Sequence, residues 1–546
     1  MASGGGTSSQ RLNKSCILVI VVAGVERFAF KGVASNLVVY LTEVMNFSNS
    51  SAAKTVNTWC GVTFMLPLFG AYLADSFLDR YSTILASSCL YIVGLVALTL
   101  TTLMRESTST NGTSSSTSLL WSLYLISLGQ GGYNPCLQAF GAEQLDNEDE
   151  LPCSKDLQSS NKKGLFFQWW YFGICTGSLI GVSLMSYLQD TFGWAVGFAI
   201  PTIAMTISVA PFLCGTRFYT RKQPEGRPNK HIQLLIQAIK ASVLKRISSR
   251  IGFSVKGTNV IELEMEEKPL CLDDSHGHSS LDERFSDVSV CLSLGDAKDV
   301  LKLLPIWIML LMFAVIFQQP ATFFTKQGMT MKRNIGKIFM IPPATLQSAI
   351  NISIILLMPY YDKIVIPIMR LITGNDRGVN VMQRMGTGMF LSIIAMAIAA
   401  IVETIRLQIS NNSGFLESNS QTVSLSIFWL LPQYILLGVS DVFTVVGMQE
   451  FFYTEVPSRM KTMGMALHLS VFGVGSFLSA ILISFIEIVT SDDRGKHSWF
   501  SDDMREARLD KYYWLLALCS AISLLFFAYL CRYYNCRNTF INGSCK

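Results

Sequence analysis

The chain has 546 residues, half of them hydrophobic and only 15% charged, against about 25% charged in soluble globular domains. Mean hydropathy is +0.39, and the apolar residues gather in segments of about 20 or more, the length that crosses roughly 30 Å of hydrocarbon. A soluble fold is excluded and an all-α polytopic membrane protein is predicted; the net charge of +5 fits membrane topology better than nucleic-acid binding.

Residues 1–15 are polar and are expected to lie in the cytoplasm. The first apolar run, near 16–44, is too long for a signal-peptide core and is expected to stay uncleaved. Further spans are predicted near 57–78, 82–104, 118–140, 164–187 and 192–215. A linker over 216–299 follows. Its "HIQLLIQAIKASVLKRI" (231–247) reads as a basic amphipathic helix on the inner membrane face, and "CLDDSHGHSSLDERFSDVSVC" (271–291) as disordered. The second half has spans near 300–325, 340–359, 378–403, 424–450, 462–490 and 512–534, then a cytoplasmic tail, 535–546. About twelve spans in two six-helix bundles, 16–215 and 300–534, suggest a major facilitator fold. Its substrate site is expected between the halves, near the midplane.

Placing the N-terminus in the cytoplasm puts 29 Lys and Arg residues inside and 12 outside, in the sense of the positive-inside rule. The sequons at Asn46, Asn49, Asn111 and Asn411 then fall in outer loops. The 13 cysteines lie in spans or inner segments, without a CxxC pair, so neither a disulfide framework nor a zinc site is expected. The two histidines of "SHGH" (275–278) lack further ligands for a metal. "GAYLADSFLDRYST" (70–83) is expected to form a tight inner turn with an Asp75–Arg80 pair. "YYDKIVIPIMR" (360–370) takes the corresponding place in the second half.

Charges inside spans are the functional candidates. An ionisable residue at the centre of a span costs about 2.5–3.5 kcal/mol on insertion scales, and usually faces a cavity or a partner. "AGVERFAFKG" (23–32) carries Glu26, Arg27 and Lys31. Arg27 and Lys31 are one turn apart on one face, and Lys31 lies too deep to snorkel easily. All three are expected to face the central cavity; the alternative is a structural ion pair that locks helix packing. Asp441 in "LLGVSDVFTVVG" is the acid of span 10. It is expected to be neutral, because desolvation without a nearby lysine opposes ionisation, to pair with Lys31, or to hydrogen-bond a backbone or hydroxyl group. His468 reads as a packing residue, Glu450 as an inner-end residue contacting water or a base, and the "GQGG" at 129–132 as close helix packing instead of a phosphate loop. Trp169 and Trp170 can serve a cavity or packing. Thr83 can cap a helix or accept a phosphate.

Six blocks in order, "ERFAFKGVASNLVVYLT", "LADSFLDRYSTI", "GQGGYNPCLQAFGAEQLD", "QWWYFGICTGSLIGV", "IGKIFMIPPATLQ" and "MQEFFYTEVPSRMKTMG", resemble the signature blocks of the plant nitrate/peptide transporter family (NPF). That family belongs to the proton-dependent oligopeptide transporters (POT/PTR) of the major facilitator superfamily. The resemblance implies transport of a small solute, often with protons. It also implies three departures from the family pattern. Ala23 stands where the first acid of span 1 is usual, Asn134 where span 4 often has a lysine, and Phe317 where some nitrate-transporting relatives have a histidine. Lys31 would then replace the lost cation opposite Asp441. The Arg80-x-x-Thr83 context is one that relatives use as a phosphorylation switch, which makes a kinase a candidate partner. The resulting expectation is a secondary transporter of an anion such as nitrate, working by alternating access with weakened proton coupling. The alternatives are a di/tripeptide or other organic-solute carrier, and a transporter-like receptor or passive facilitator. No enzyme motif, metal site or cofactor site is expected, and the plasma membrane or the vacuolar membrane is the expected location.

Overall fold

The computed structural model describes residues 14–76, 80–107, 113–144, 155–217, 219, 302–336, 339–360, 381–413, 423–456, 461–490 and 498–543. The amphipathic 231–247 segment, the 271–291 stretch, most of the 360–370 turn and the sequon at Asn111 lie outside them, as does the side chain of Asp75.

Twelve helices of more than ten residues follow in chain order among the described residues, with shorter helical turns such as Leu37–Val39 and Tyr40–Val44 between them. The first bundle holds α1 (Lys14–Ala34), α2 (Asn49–Ser76), α3 (Arg80–Ser107), α4 (Thr113–Glu143), α5 (Lys155–Phe192) and α6 (Trp194–Cys214). The second holds α7 (Lys302–Met329), α8 (Ser348–Tyr360), α9 (Val381–Ser413), α10 (Leu431–Thr454), α11 (Lys461–Thr490) and α12 (Leu509–Gly543). Eight of these are long and apolar enough to cross a membrane on those grounds alone, and α1, α2, α4 and α8 are not. The exceptions have a physical reason. α1 carries four charges, Lys14, Glu26, Arg27 and Lys31, α8 is short, and α2 and α4 turn polar faces to other helices and need little greasy surface. Rings of exposed apolar side chains such as Met104, Trp121, Phe485 and Leu525 are the surface a bilayer covers.

Several helices end away from the expected span limits, α1 stopping at Ala34 and α5, α9 and α12 running longer, and two departures have a clear local cause. α2 starts at Asn49 and not near 57. Ser48 caps it, the Ser51 backbone N–H donating to Ser48 Oγ at 3.2 Å, as expected of serine at this position. Its first two turns are too polar for a hydropathy window to notice. α7 is interrupted by a 3-10 turn at Gln319–Ala321, because Pro320 cannot donate to the helical ladder. Four short strands also appear beyond the end of α7: β1 (Met331–Lys332) runs parallel with β4 (Val423–Ser426), and β2 (Asn334–Ile335) antiparallel with β3 (Phe339–Met340).

Each bundle has its own core. One apolar cluster joins all six helices of the first bundle around Tyr40, Tyr91 and Phe198, and two others fill the second bundle. Glycines bring helices together where the sequence suggested it. A Cβ on Gly129 would lie 2.6 Å from the backbone N of Tyr91, and one on Gly70 would collide with the Gly131 carbonyl. The bundles meet along two seams, α2 with α11 and α5 with α8.

Candidate functional site

Helix α1 carries the charges of "AGVERFAFKG" into the protein, where they diverge. Glu26 points into its own bundle and is 2% exposed. Gln130 of α4 donates to Glu26 Oε1 at 2.7 Å, and Arg27 Nε stands 3.7 Å from Glu26 Oε2. Tyr91 of α3 and Tyr133 of α4 share this pocket electrostatically. Their hydroxyls have no hydrogen-bond partner among the described residues. Arg27 is partly open at 18% exposure, its guanidinium 5.7 Å from the Phe30 ring centre.

Lys31, one turn further, is half-buried. It interacts electrostatically with Asp441 of α10 across the bundle boundary, and with Arg27, Cys60 of α2 and Cys175 of α5. Among the described residues, no ion pair within 4.0 Å joins Lys31 and Asp441. Asp441 Oδ1 has no hydrogen-bond partner, so for this oxygen neither expected partner is in hydrogen-bonding contact. Asp441 instead borders a void of about 10 Å3 with Phe313, Phe317, Pro320, Ile350 and Leu437, the volume of about one water.

Phe317 therefore sits beside Asp441 and also reaches the seam. Its ring is 5.1 Å from Phe472 of α11; Phe472 is 5.9 Å from Phe64 of α2 and 5.7 Å from His468. His468 is buried among these rings, its Nδ1 without a partner. Asn134 is half-buried in α4, one turn beyond Gln130. Gln130, which the sequence reading passed over, is the α4 residue that engages Glu26. Its spacing of four from Asn134 places both on one helix face, and that was the available signal. Trp170 is buried and Trp169 is half exposed. Glu450 meets Arg384 at 3.2 Å. Thr83 is buried in the first turn of α3, against Gly132 of α4. Because α3 begins at Arg80, Thr83 lies inside the helix and the N-cap alternative does not hold.

A second constellation closes the seam at the end of the bundles opposite the N-terminus of α1. Lys54 Nζ of α2 is 2.7 Å from Glu487 Oε2 of α11, and Ser50 donates to Glu487 Oε1 at 2.6 Å. Asn57 donates to Ser479 at 2.9 Å, Lys326 to Thr42 at 3.0 Å, and Gln347 to the Ser35 carbonyl at 2.9 Å. Every one of these bonds crosses from one bundle to the other. Asn49 belongs to the same set and is 5% exposed; this corrects its assignment to an outer loop as a glycosylation acceptor. Asn46 is exposed, in the left-handed region with φ 55°. No cluster of three or more His, Cys, Asp or Glu suited to a metal occurs among the described residues.

The chain matches the POT family (PTR2) over residues 81–500. It is 56% identical over 543 residues to Protein NRT1/ PTR FAMILY 5.9 of Arabidopsis thaliana, covering 96% of each chain. It is 42% identical to Protein NRT1/ PTR FAMILY 5.10 of the same plant, over 95% of this chain and 92% of the other. Among solved structures, it shares its fold with an auto-inhibited POT family peptide transporter at TM-score 0.68 and 19% identity, covering 95% and 97% of the two chains. It shares it also with the POT family transporter PepTSo at TM-score 0.68 and 20% identity, covering 96% and 99%. A POT pattern over most of the length, plant relatives matched nearly end to end and a common two-bundle fold agree: this chain is a multi-pass membrane protein with the major facilitator fold, and it belongs to the POT family of transporters together with the plant NRT1/PTR proteins.

Proposed function

We propose that the protein is a secondary transporter that moves a small anion, nitrate being the first candidate, by alternating access with weakened proton coupling. The carrying observation is the division of charge on α1. Glu26 is turned into its own bundle with Gln130. Arg27 and Lys31 are left partly open, and Asp441 is the one acid in electrostatic contact with Lys31 among the described residues. Glu26 offsets Arg27 from 3.7 Å but is turned away, so the partly open charges lean to the cationic side, which favours an anionic guest. Proton coupling needs a group whose protonation changes the balance of two states. The absence of an acid at Ala23 and of a cation at Asn134 leaves fewer such groups. A second reading, a peptide or other organic solute, draws support from the aromatic run of Phe317, Phe472 and Phe64, which offers apolar contact at the seam.

The test is an uptake panel in proteoliposomes, with nitrate, other small anions and dipeptides, each with and without a pH gradient. Nitrate uptake that persists at a reduced rate without the gradient is expected. In Lys31→Met, uptake is expected to fall at least ten-fold at equal protein content. Uptake of dipeptides alone would favour the second reading, and unchanged nitrate uptake by Lys31→Met would remove Lys31 from the pathway.

A further inference from the structure

Residues 498–508, between α11 and α12, form a compact strap on the second bundle. Phe500 stacks on Phe323 of α7 at 4.9 Å and meets Tyr512 of α12 edge-on at 5.1 Å. The backbone N–H of Trp499 donates to Thr490 Oγ1 at the end of α11, at 3.3 Å. Underneath lies a fully buried ion pair. Arg406 of α9 donates twice to Glu403, from Nε at 2.8 Å and from Nη2 at 2.6 Å, and both side chains are 0% exposed. Its remaining donors leave α9: Nη2 bonds the Met504 carbonyl at 2.7 Å and Nη1 bonds Thr330 Oγ1 at 3.3 Å. A buried pair adds little net stability over apolar packing, but its geometry is strict. Here that strictness falls on the strap.

The strap's free edge meets the other bundle at Asn49. Asn49 is the first residue of α2. Its Nδ2 lies 3.1 Å from the Ser501 carbonyl, 3.3 Å from the Asp502 carbonyl and 3.7 Å from the Met504 sulfur. Its backbone N–H donates to Asp502 Oδ1 at 2.7 Å. The first N–H groups of a helix have no partner within the helix, and a carboxylate is favoured at that end. Asp502 therefore caps α2 from the opposite bundle. Separating the bundles uncovers that helix end and frees the Asn49 amide together.

The geometry points to a latch, with Asn49 as its movable half and the 498–508 strap, positioned by Glu403 and Arg406, as its fixed receptor. It holds this end of the transporter shut. This inference rests on the alternating-access reading, and it has a consequence for modification. Asn49-Ser50-Ser51 is a glycosylation sequon by its letters, but a glycan on Nδ2 would occupy the space of the strap. A closed latch therefore requires an unmodified Asn49, whereas the exposed Asn46 three residues earlier carries no such restriction.

Hydrogen–deuterium exchange on the full chain in lipid nanodiscs, without substrate, tests the latch. Asn49→Ala is expected to speed exchange about ten-fold in residues 49–57 and in 498–508 together, α9 remaining unchanged. Asp502→Ala alters an exposed carboxylate and is expected to give the same joint effect, so the test survives if Asn49→Ala folds poorly. A change confined to 49–57 in both variants would mean an ordinary helix cap and would overturn the latch. So would unchanged exchange in both, or a glycan found on Asn49 by glycopeptide mapping. Because exchange is read without solute, failure of the wild type to transport anything would count against the transport reading and leave this result standing.

Discussion

Glu26 is held by a neutral amide where a charged partner would be expected. Gln130 donates one hydrogen bond, Arg27 stands at 3.7 Å, and two buried tyrosine hydroxyls nearby lack partners. Restoring the family pattern is a direct probe of what that arrangement does. Ala23 is 4% exposed one turn before Glu26, and Asn134 lies one turn after Gln130. Ala23→Glu with Asn134→Lys is expected to steepen the dependence of initial uptake rate on external pH. Each change alone leaves a buried charge unpaired, at a cost of several kcal/mol, and is expected to lower uptake and protein yield. Strong uphill accumulation by the unmodified protein, abolished when the pH gradient is collapsed, would show that Glu26 and Asp441 suffice and that coupling is intact. The presence of charge within α1 at 26, 27 and 31 was legible in the letters, since charge inside a span always needs an explanation. Gln130 was not, because an uncharged amide in a glycine-rich turn carries no comparable cost.

Among the elements, the contact of α3 with α4 determines what Thr83 can do. The side chain is 5% exposed and faces Gly132, so a kinase reaches it only after the first turn of α3 leaves α4. A charge at this position opposes repacking by desolvation. Thr83→Asp is expected to change transport kinetics and to lower the melting temperature by several degrees, while Thr83→Ala stays near wild type in both. Equal kinetics in the two variants would leave Thr83 a packing residue only. Most helices could be read from hydropathy because a lipid-facing surface must be apolar. The start of α2 and the break in α7 could not. The first three turns of α2 spend polar groups on the opposite bundle, through Asn49, Ser50, Lys54 and Asn57, and such a surface looks like a loop in a hydropathy window.

For the whole molecule, the closed seam defines the state. The Lys54–Glu487 pair joins α2 to α11 at 2.7 Å with both side chains about one-third exposed, so its attraction is worth about 1 kcal/mol or less. That is small for folding but enough to move a two-state balance several-fold. Glu487→Lys is expected to open this end, seen as faster labelling of a cysteine introduced at Ser479 by a membrane-impermeant thiol reagent. Adding Lys54→Glu is expected to restore slow labelling. Labelling that is fast in the double variant too would separate the pair from gating. From the letters alone came the membrane class, about twelve spans, the two-bundle division and the charged stretch of α1, since each follows from local composition in a solvent that tolerates no bare backbone and few charges. Which partner each charge takes was decided by the tertiary structure. Glu26 meets Gln130 from 104 positions away, Lys54 meets Glu487 from 433, and Asn49 meets Asp502 from 453. Such pairs form only where packed helices bring distant side chains within hydrogen-bonding reach, and no local pattern along the chain records them.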